Sequence, residues 1–76
     1  MTIEQLRAVY HAVPFRPFTI HMADGRKIRV PHRDFMSQSP TGRTVVVQNE
    51  DETLSILDLL LVTELNIDKG HSGQLQ

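Results

Sequence analysis

Residues 18–30, FTIHMADGRKIRV, carry the reading that decides the fold. Apolar side chains fall at Phe18, Ile20 and Met22, then at Ile28 and Val30, with Asp24-Gly25 between the two runs, which is the two-residue period of paired strands. A two-residue Asp-Gly loop would pair Ala23 with Arg26 and set Ile20 opposite Arg29, splitting the apolar residues between two faces. A three-residue loop, Ala23-Asp24-Gly25 with Gly25 left-handed in a bulge, pairs Met22 with Arg26, Ile20 with Ile28 and Phe18 with Val30. All five apolar residues then share one face, and this is the register expected.

Upstream, Thr2 followed three residues later by Gln5 matches a capping box, and Leu6, Val9, Tyr10 and Val13 follow at one-face helical spacing. A short helix over residues 3–12 is expected. Pro14 and Pro17 then make PFRPF an extended connector that carries Phe15 and Phe18 toward the sheet. Downstream, Pro31 and the polar His32-Arg33-Asp34 interrupt a long second strand. Ser39-Pro40-Thr41-Gly42 is a turn into the β-branched third strand Thr44-Val45-Val46-Val47. An acidic turn, Asn49-Glu50-Asp51-Glu52, precedes a fourth strand in which Thr53-Leu54-Ser55-Ile56 alternates polar and apolar. A tight helical turn then leads to a last strand, Val62–Ile67. The pattern predicts a mainly β (α+β) domain over residues 1–67: a short helix followed by five antiparallel strands in a strongly bent small barrel. Residues 68–76 lack a pattern and are expected to be a mobile tail.

The totals bound what such a chain can be. Seventy-six residues make one domain, which buries about 60 to 65% of the surface its unfolded form exposes. One core of this size supplies about 3 to 5 kcal/mol, and small domains add disulfides, a metal or a partner subunit. Cysteine is absent, so disulfides and thiolate metal sites are excluded and association is the remaining stabiliser. Eight Lys and Arg against nine Asp and Glu lack the basic excess of a nucleic-acid domain. The first residues have neither the basic start nor the apolar run of a secretory signal, and no run reaches the ~20 residues of a membrane span. A soluble, cytoplasmic protein is expected.

The stretch PFRPFTIHMADGRKIRVPHRDF, with GRTVVV and the ending ILDLLLVTELNI, resembles a group of short, uncharacterised bacterial proteins that share a PFRPF opening and a DGR hairpin. In architecture, the order helix, FTIHMADGRKIRV, TVVV, short strand, tight turn and TELNI is similar to the Sm-like family that includes bacterial Hfq. That resemblance implies rings, made by pairing the fourth strand of one subunit with the fifth of its neighbour, and RNA binding. Ile28, Arg29 and Val30 stand where the family has a glycine. Leu59-Leu60 stand where the Hfq type has Lys-His, so the resemblance carries assembly further than it carries the RNA site.

Candidate sites follow from the same register. Thr19, His21, Lys27 and Arg29 lie on the hairpin face opposite the core, with Arg16 and Arg33 nearby, and this is the best RNA or anion patch; as a structural feature it is an ordinary solvated strand face. Aromatic residues for base stacking are all claimed by the core. His11, His21, His32 and His71 have no zinc-ligand spacing, so no metal and no cofactor is expected. Asp24, Glu50, Asp51 and Glu52 belong to turns. Asp58 interrupts an apolar run and suits a cap on the tight turn. No nucleophile, base and acid are spaced as a catalytic set, so an enzyme is not expected. Leu57, Leu59, Leu60, Leu61 and Val62 cannot all face one core in any regular conformation. Leu59, Leu60, Leu61 and Val62 are therefore the candidate homo-oligomer interface, each side chain worth about 1.5 to 3 kcal/mol when buried; the alternative is that the tight turn and the docked helix cover them within one chain. The reading is a noncatalytic interaction module, self-associating through its last two strands, with a protein as the leading partner and no membrane; the alternative is an Sm-like RNA binder using the basic hairpin face.

Overall fold

A computed structural model describes residues 1–39 and 42–69. Its elements in chain order are α1 (Ile3–Tyr10), β1 (Phe18–Met22), β2 (Lys27–Val30), a 3-10 turn (Arg33–Phe35), β3 (Met36–Gln38), β4 (Thr44–Gln48), β5 (Leu54–Asp58), a second 3-10 turn (Leu59–Leu61) and β6 (Val62–Ile67). Phe18 pairs with Val30 and Ile20 with Ile28, as the three-residue loop requires. The Met22 amide donates to Arg26 O at 2.9 Å and the Gly25 amide to Met22 O at 3.0 Å, with Gly25 at φ 93°. Phe18, Ile20, Met22, Ile28 and Val30 are all buried.

The strands form two antiparallel three-stranded sheets, in the orders β2-β1-β6 and β3-β4-β5. What the sequence anticipates as one bent barrel of five strands is thus observed as six strands in two sheets, with no closed barrel among the described residues. The extra strand arises at the interruption expected at Pro31: Arg33–Phe35 coils into a 3-10 turn and divides the second strand into β2 and β3. In the β1–β6 ladder the register shifts between His21 and Met22, which pair with Glu64 and Val62 and leave Thr63 as the extra residue. That bulge lets Val62 and Leu65 both take the core side, opposite Met22 and Ile20.

Thr2 and Gln5 form the capping box reciprocally, with 3.0 and 3.2 Å bonds, and Leu6 is the helix residue driven into the core. The helix stops at Tyr10, two residues before the expected end, and Val13 is 92% exposed instead of sharing the apolar stripe. Pro14 disfavours helical geometry at Val13, and Arg33 takes the freed carbonyls: its Nε donates to Tyr10 O at 3.0 Å and its Nη2 to Ala12 O at 2.7 Å.

Two of the hairpins share one loop design. Across residues 49–53, the Asn49 amide donates to Thr53 O and the Glu52 amide to Asn49 O, repeating the bonds of the Ala23-Asp24-Gly25 loop. The left-handed position that Gly25 fills in the first loop is Glu52 in the second, at φ 71°. An L-residue there pays about 1 to 2 kcal/mol that glycine does not, partly offset by glycine's freer unfolded chain. Glu52→Gly is expected to stabilise the fold by about 0.5 to 1 kcal/mol, read as a higher denaturation midpoint at unchanged cooperativity.

Candidate functional site

The sheet β2-β1-β6 places the basic hairpin residues in a setting that includes acid. Lys27 pairs with His21, which pairs in turn with Glu64; Arg29 pairs with Thr19, which pairs with Asn66. Arg29 forks onto the Asp68 carboxylate, Nη1 to Oδ1 at 3.1 Å and Nη2 to Oδ2 at 2.7 Å, while Arg16 Nε donates to Asp68 O at 3.0 Å. The Asp68 amide donates to Pro17 O at 2.9 Å, so this residue, which the pattern assigns to the tail, continues the β1–β6 ladder. Arg29 holds the Asp68 carboxyl below its ordinary range. His21, Lys27 and Arg29 therefore share a face, and Arg16 meets Arg29 at Asp68. Arg33 lies apart, capping the helix with its guanidinium over the Phe15 ring at 5.2 Å. Lys27 is exposed and makes no ion pair among the described residues.

Among the described residues, no group of three His, Asp or Glu side chains converges on a common point; His71 lies outside those residues. A pocket of about 180 Å³ beside Phe35, Ser37, Val46, Gln48 and Leu54 carries one carboxylate, Asp34, with no basic side chain on its wall. No described helix is long and apolar enough to cross a membrane.

Asp58 caps the second 3-10 turn, accepting from the Leu60 amide at 2.9 Å, and binds Arg43 Nε at 3.1 Å. The Arg43 bond, then the Leu60 amide, lowers its pKa from 3.8. Bonds from neighbouring residues lower Asp24 and Asp51 likewise, and Arg29 does the same for Asp68. Each of these carboxyls binds its proton more weakly folded than unfolded, so their stabilisation is complete above the ordinary carboxylate pKa and is lost as pH falls through the lower folded values. The thermal midpoint is expected to fall as pH drops below about 4, the ordinary carboxylate range, and Asp58→Asn to flatten part of that slope.

The apolar run divides by depth. Leu57, Leu59 and Val62 are buried in the core, whereas Leu60 and Leu61 are 64% and 52% exposed. Leu54 and Ile56 are more exposed still, at 65% and 71%, although the alternation of residues 53–56 suggests that they face inward. The phase is set by β4: buried Val45 pairs with Leu57 and buried Val47 with Ser55, which turns Leu54 and Ile56 to solvent. Leu57 is the available signal, since it can share a face with Ser55 but not with Ile56.

The free edges differ in what they offer. On β2 the edge carries exposed Lys27 and Arg29, and β3 has only three residues, both common guards against edge pairing. In β5 the Asn49–Thr53 and Leu59–Arg43 bonds fix which backbone groups face β4, so the amides and carbonyls of Leu54, Ile56 and Asp58 point to the open edge. In β6 the Asp68–Pro17 bond does the same, leaving those of Leu65 and Ile67 outward. Leu65 and Ile67 sit opposite Ile20 and Phe18 on the core side, yet Leu65 is only partly buried and Ile67 is 41% exposed. No protein-family model, curated protein or solved structure matches the chain.

Proposed function

We propose that this protein is a noncatalytic interaction module of small-barrel, Sm-like type that self-associates by pairing β5 of one copy with β6 of the next. The observation that carries the reading is the match between the two unguarded edges. Residues of β5 with outward backbone groups bear the exposed apolar side chains Leu54 and Ile56. Their counterparts on β6 bear Leu65 and Ile67, on the incompletely covered core side. Residues joined by a ladder share a face, so this pairing lays Leu54 and Ile56 beside Leu65 and Ile67 and extends the neighbour's core. Pairing β5 with a second β5 would leave all four outer leucine and isoleucine side chains on a solvent face.

Leu54, Ile56, Leu60, Leu61 and Ile67 expose roughly three side chains' worth of large aliphatic surface, about 4 to 9 kcal/mol if fully covered and an upper bound on what association recovers. That is comparable with the whole stability of a core this small. The contact joins two different patches, so it generates a closed ring or an open filament. A bent barrel left open between β5 and β6, with the gap filled by a neighbour, fits the two-sheet arrangement.

The RNA-binding alternative has less support, because Arg29 and Arg16 are engaged by Asp68, Arg33 caps α1, and Glu64 adjoins His21. Sedimentation at micromolar concentration tests the proposal: a discrete oligomer supports it and a monomer removes it. Titration with single-stranded RNA at two salt concentrations tests the alternative, which requires an affinity that falls with salt.

A further inference from the structure

We propose that Leu60 of one copy inserts into the cavity lined by Met22, Ala23, Asp24, Arg26 and Leu61 of the next copy, acting as the knob that fixes the register of association. The inference rests on the β5–β6 pairing proposed above and names what else that pairing brings together. The cavity is about 260 Å³, with Met22, Ala23 and Leu61 supplying apolar wall and the Asp24–Arg26 ion pair, at 2.8 Å, at its polar side. It lies where the first hairpin meets the second 3-10 turn, because the Ala23 amide donates to Leu61 O at 2.8 Å. Leu60 stands on the same turn with 64% of its surface in solvent, so its own chain leaves it largely uncovered.

The edges themselves select the register. The outward backbone groups of β5 belong to Leu54, Ile56 and Asp58, and those of β6 to Leu65 and Ile67. An antiparallel ladder matching Leu54 to Ile67 and Ile56 to Leu65 uses both outward residues of β6 and both exposed aliphatic residues of β5. A shift by one hydrogen-bonded pair in one direction sets Asp58 against Leu65 and leaves Leu54 unmatched; a shift in the other direction leaves Ile67 unmatched. In the selected register the end of β5 at Asp58 lies beside the start of β6, so the second 3-10 turn of one copy, which carries Leu60, comes next to the same turn of the neighbour, where Leu61 borders the cavity. A parallel ladder with Ile56 beside Leu65 carries Leu60 past Ile67, away from the cavity. A leucine side chain also suits an apolar wall of this size, whereas a charged residue at position 60 would be stranded from water there.

The chain contains no cysteine, so an engineered pair is the sole source of a disulfide. Full-length Leu60→Cys and Ala23→Cys chains are mixed in equal amounts, oxidised mildly and run without reductant. The expected result is a disulfide-linked dimer of one Leu60→Cys chain with one Ala23→Cys chain in the mixture, and no linked dimer when either variant is oxidised alone. Leu60→Ala, at an exposed position that leaves the single chain folded, is expected to raise the dissociation constant by about tenfold or more. An oligomer in which the Leu60→Cys chain links to a second Leu60→Cys chain, or does not link to the Ala23→Cys chain, overturns the knob while leaving the edge pairing standing. A wild-type chain that sediments as a monomer overturns both.

Discussion

Ile56→Glu yields a folded monomer. In the single chain Ile56 is 71% exposed on the outer side of β5, opposite half-buried Val46, so a carboxylate there remains hydrated and the core does not change. In the proposed β5–β6 pairing the same position lies against Leu65 of the neighbouring copy, where an unpaired carboxylate loses its water without gaining a partner. Burying such a charge costs several kcal/mol even after relaxation, and each 1.4 kcal/mol is a factor of about ten in affinity. The dissociation constant is expected to rise by at least about a hundredfold, with an unchanged far-UV circular dichroism spectrum. Sedimentation of Ile56→Glu beside Ile56→Val separates charge from simple loss of area, because the valine variant keeps an apolar side chain at the edge and is expected to sediment as the proposed oligomer.

Phe18→Ala abolishes the fold. Phe18 is fully buried, sits between Val30 on β2 and Ile67 on β6, and is the largest side chain in the core. Truncating a buried phenylalanine costs about 3 to 5 kcal/mol, which equals the whole stability available to one core of this size. The expected observation is loss of a cooperative thermal transition. Val13→Ala, at a position 92% exposed, is expected to shift the denaturation midpoint by no more than about 0.5 kcal/mol in equivalent stability.

The parts of this architecture that are legible in the sequence are those set by near neighbours. The first hairpin is local: its loop length decides whether Ile20 meets Ile28 or Arg29, and only one choice keeps five apolar residues together. The Thr2–Gln5 box and the Asp58 cap of the Leu60 amide are contacts over two or three residues and follow from side-chain chemistry alone. Long-range partners are not legible in the same way. Asp68 meets Arg29 across 39 residues, and Arg33 reaches back 23 residues to Tyr10 O, so the sequence pattern places both arginines in a basic patch without showing what occupies them. The facing of β5 is the reverse of its pattern for a related reason. Leu54 and Ile56 alternate with Thr53 and Ser55 as inward residues do, but the buried pair Val45 and Val47 on the neighbouring strand decides the phase. The apolar run near the second 3-10 turn is indeed too large for one core, yet of Leu59, Leu60, Leu61 and Val62 only Leu60 and Leu61 are exposed, and Leu54 and Ile56 add further apolar surface.

Residue-resolved amide hydrogen exchange on the wild-type protein tests the edge pairing most directly, because the ladder parity assigns each amide in advance. The amides of Ser55, Leu57, Glu64 and Asn66 bond within the chain and are slow to exchange in any state. Those of Leu54, Ile56, Leu65 and Ile67 point to open edges and become protected only when a second copy pairs with them. Pairing of β5 with β6 predicts protection at all four of these amides at high protein concentration and its loss on dilution or in Ile56→Glu. Rapid exchange at these four positions at every concentration, beside slow exchange at their neighbours, would contradict it.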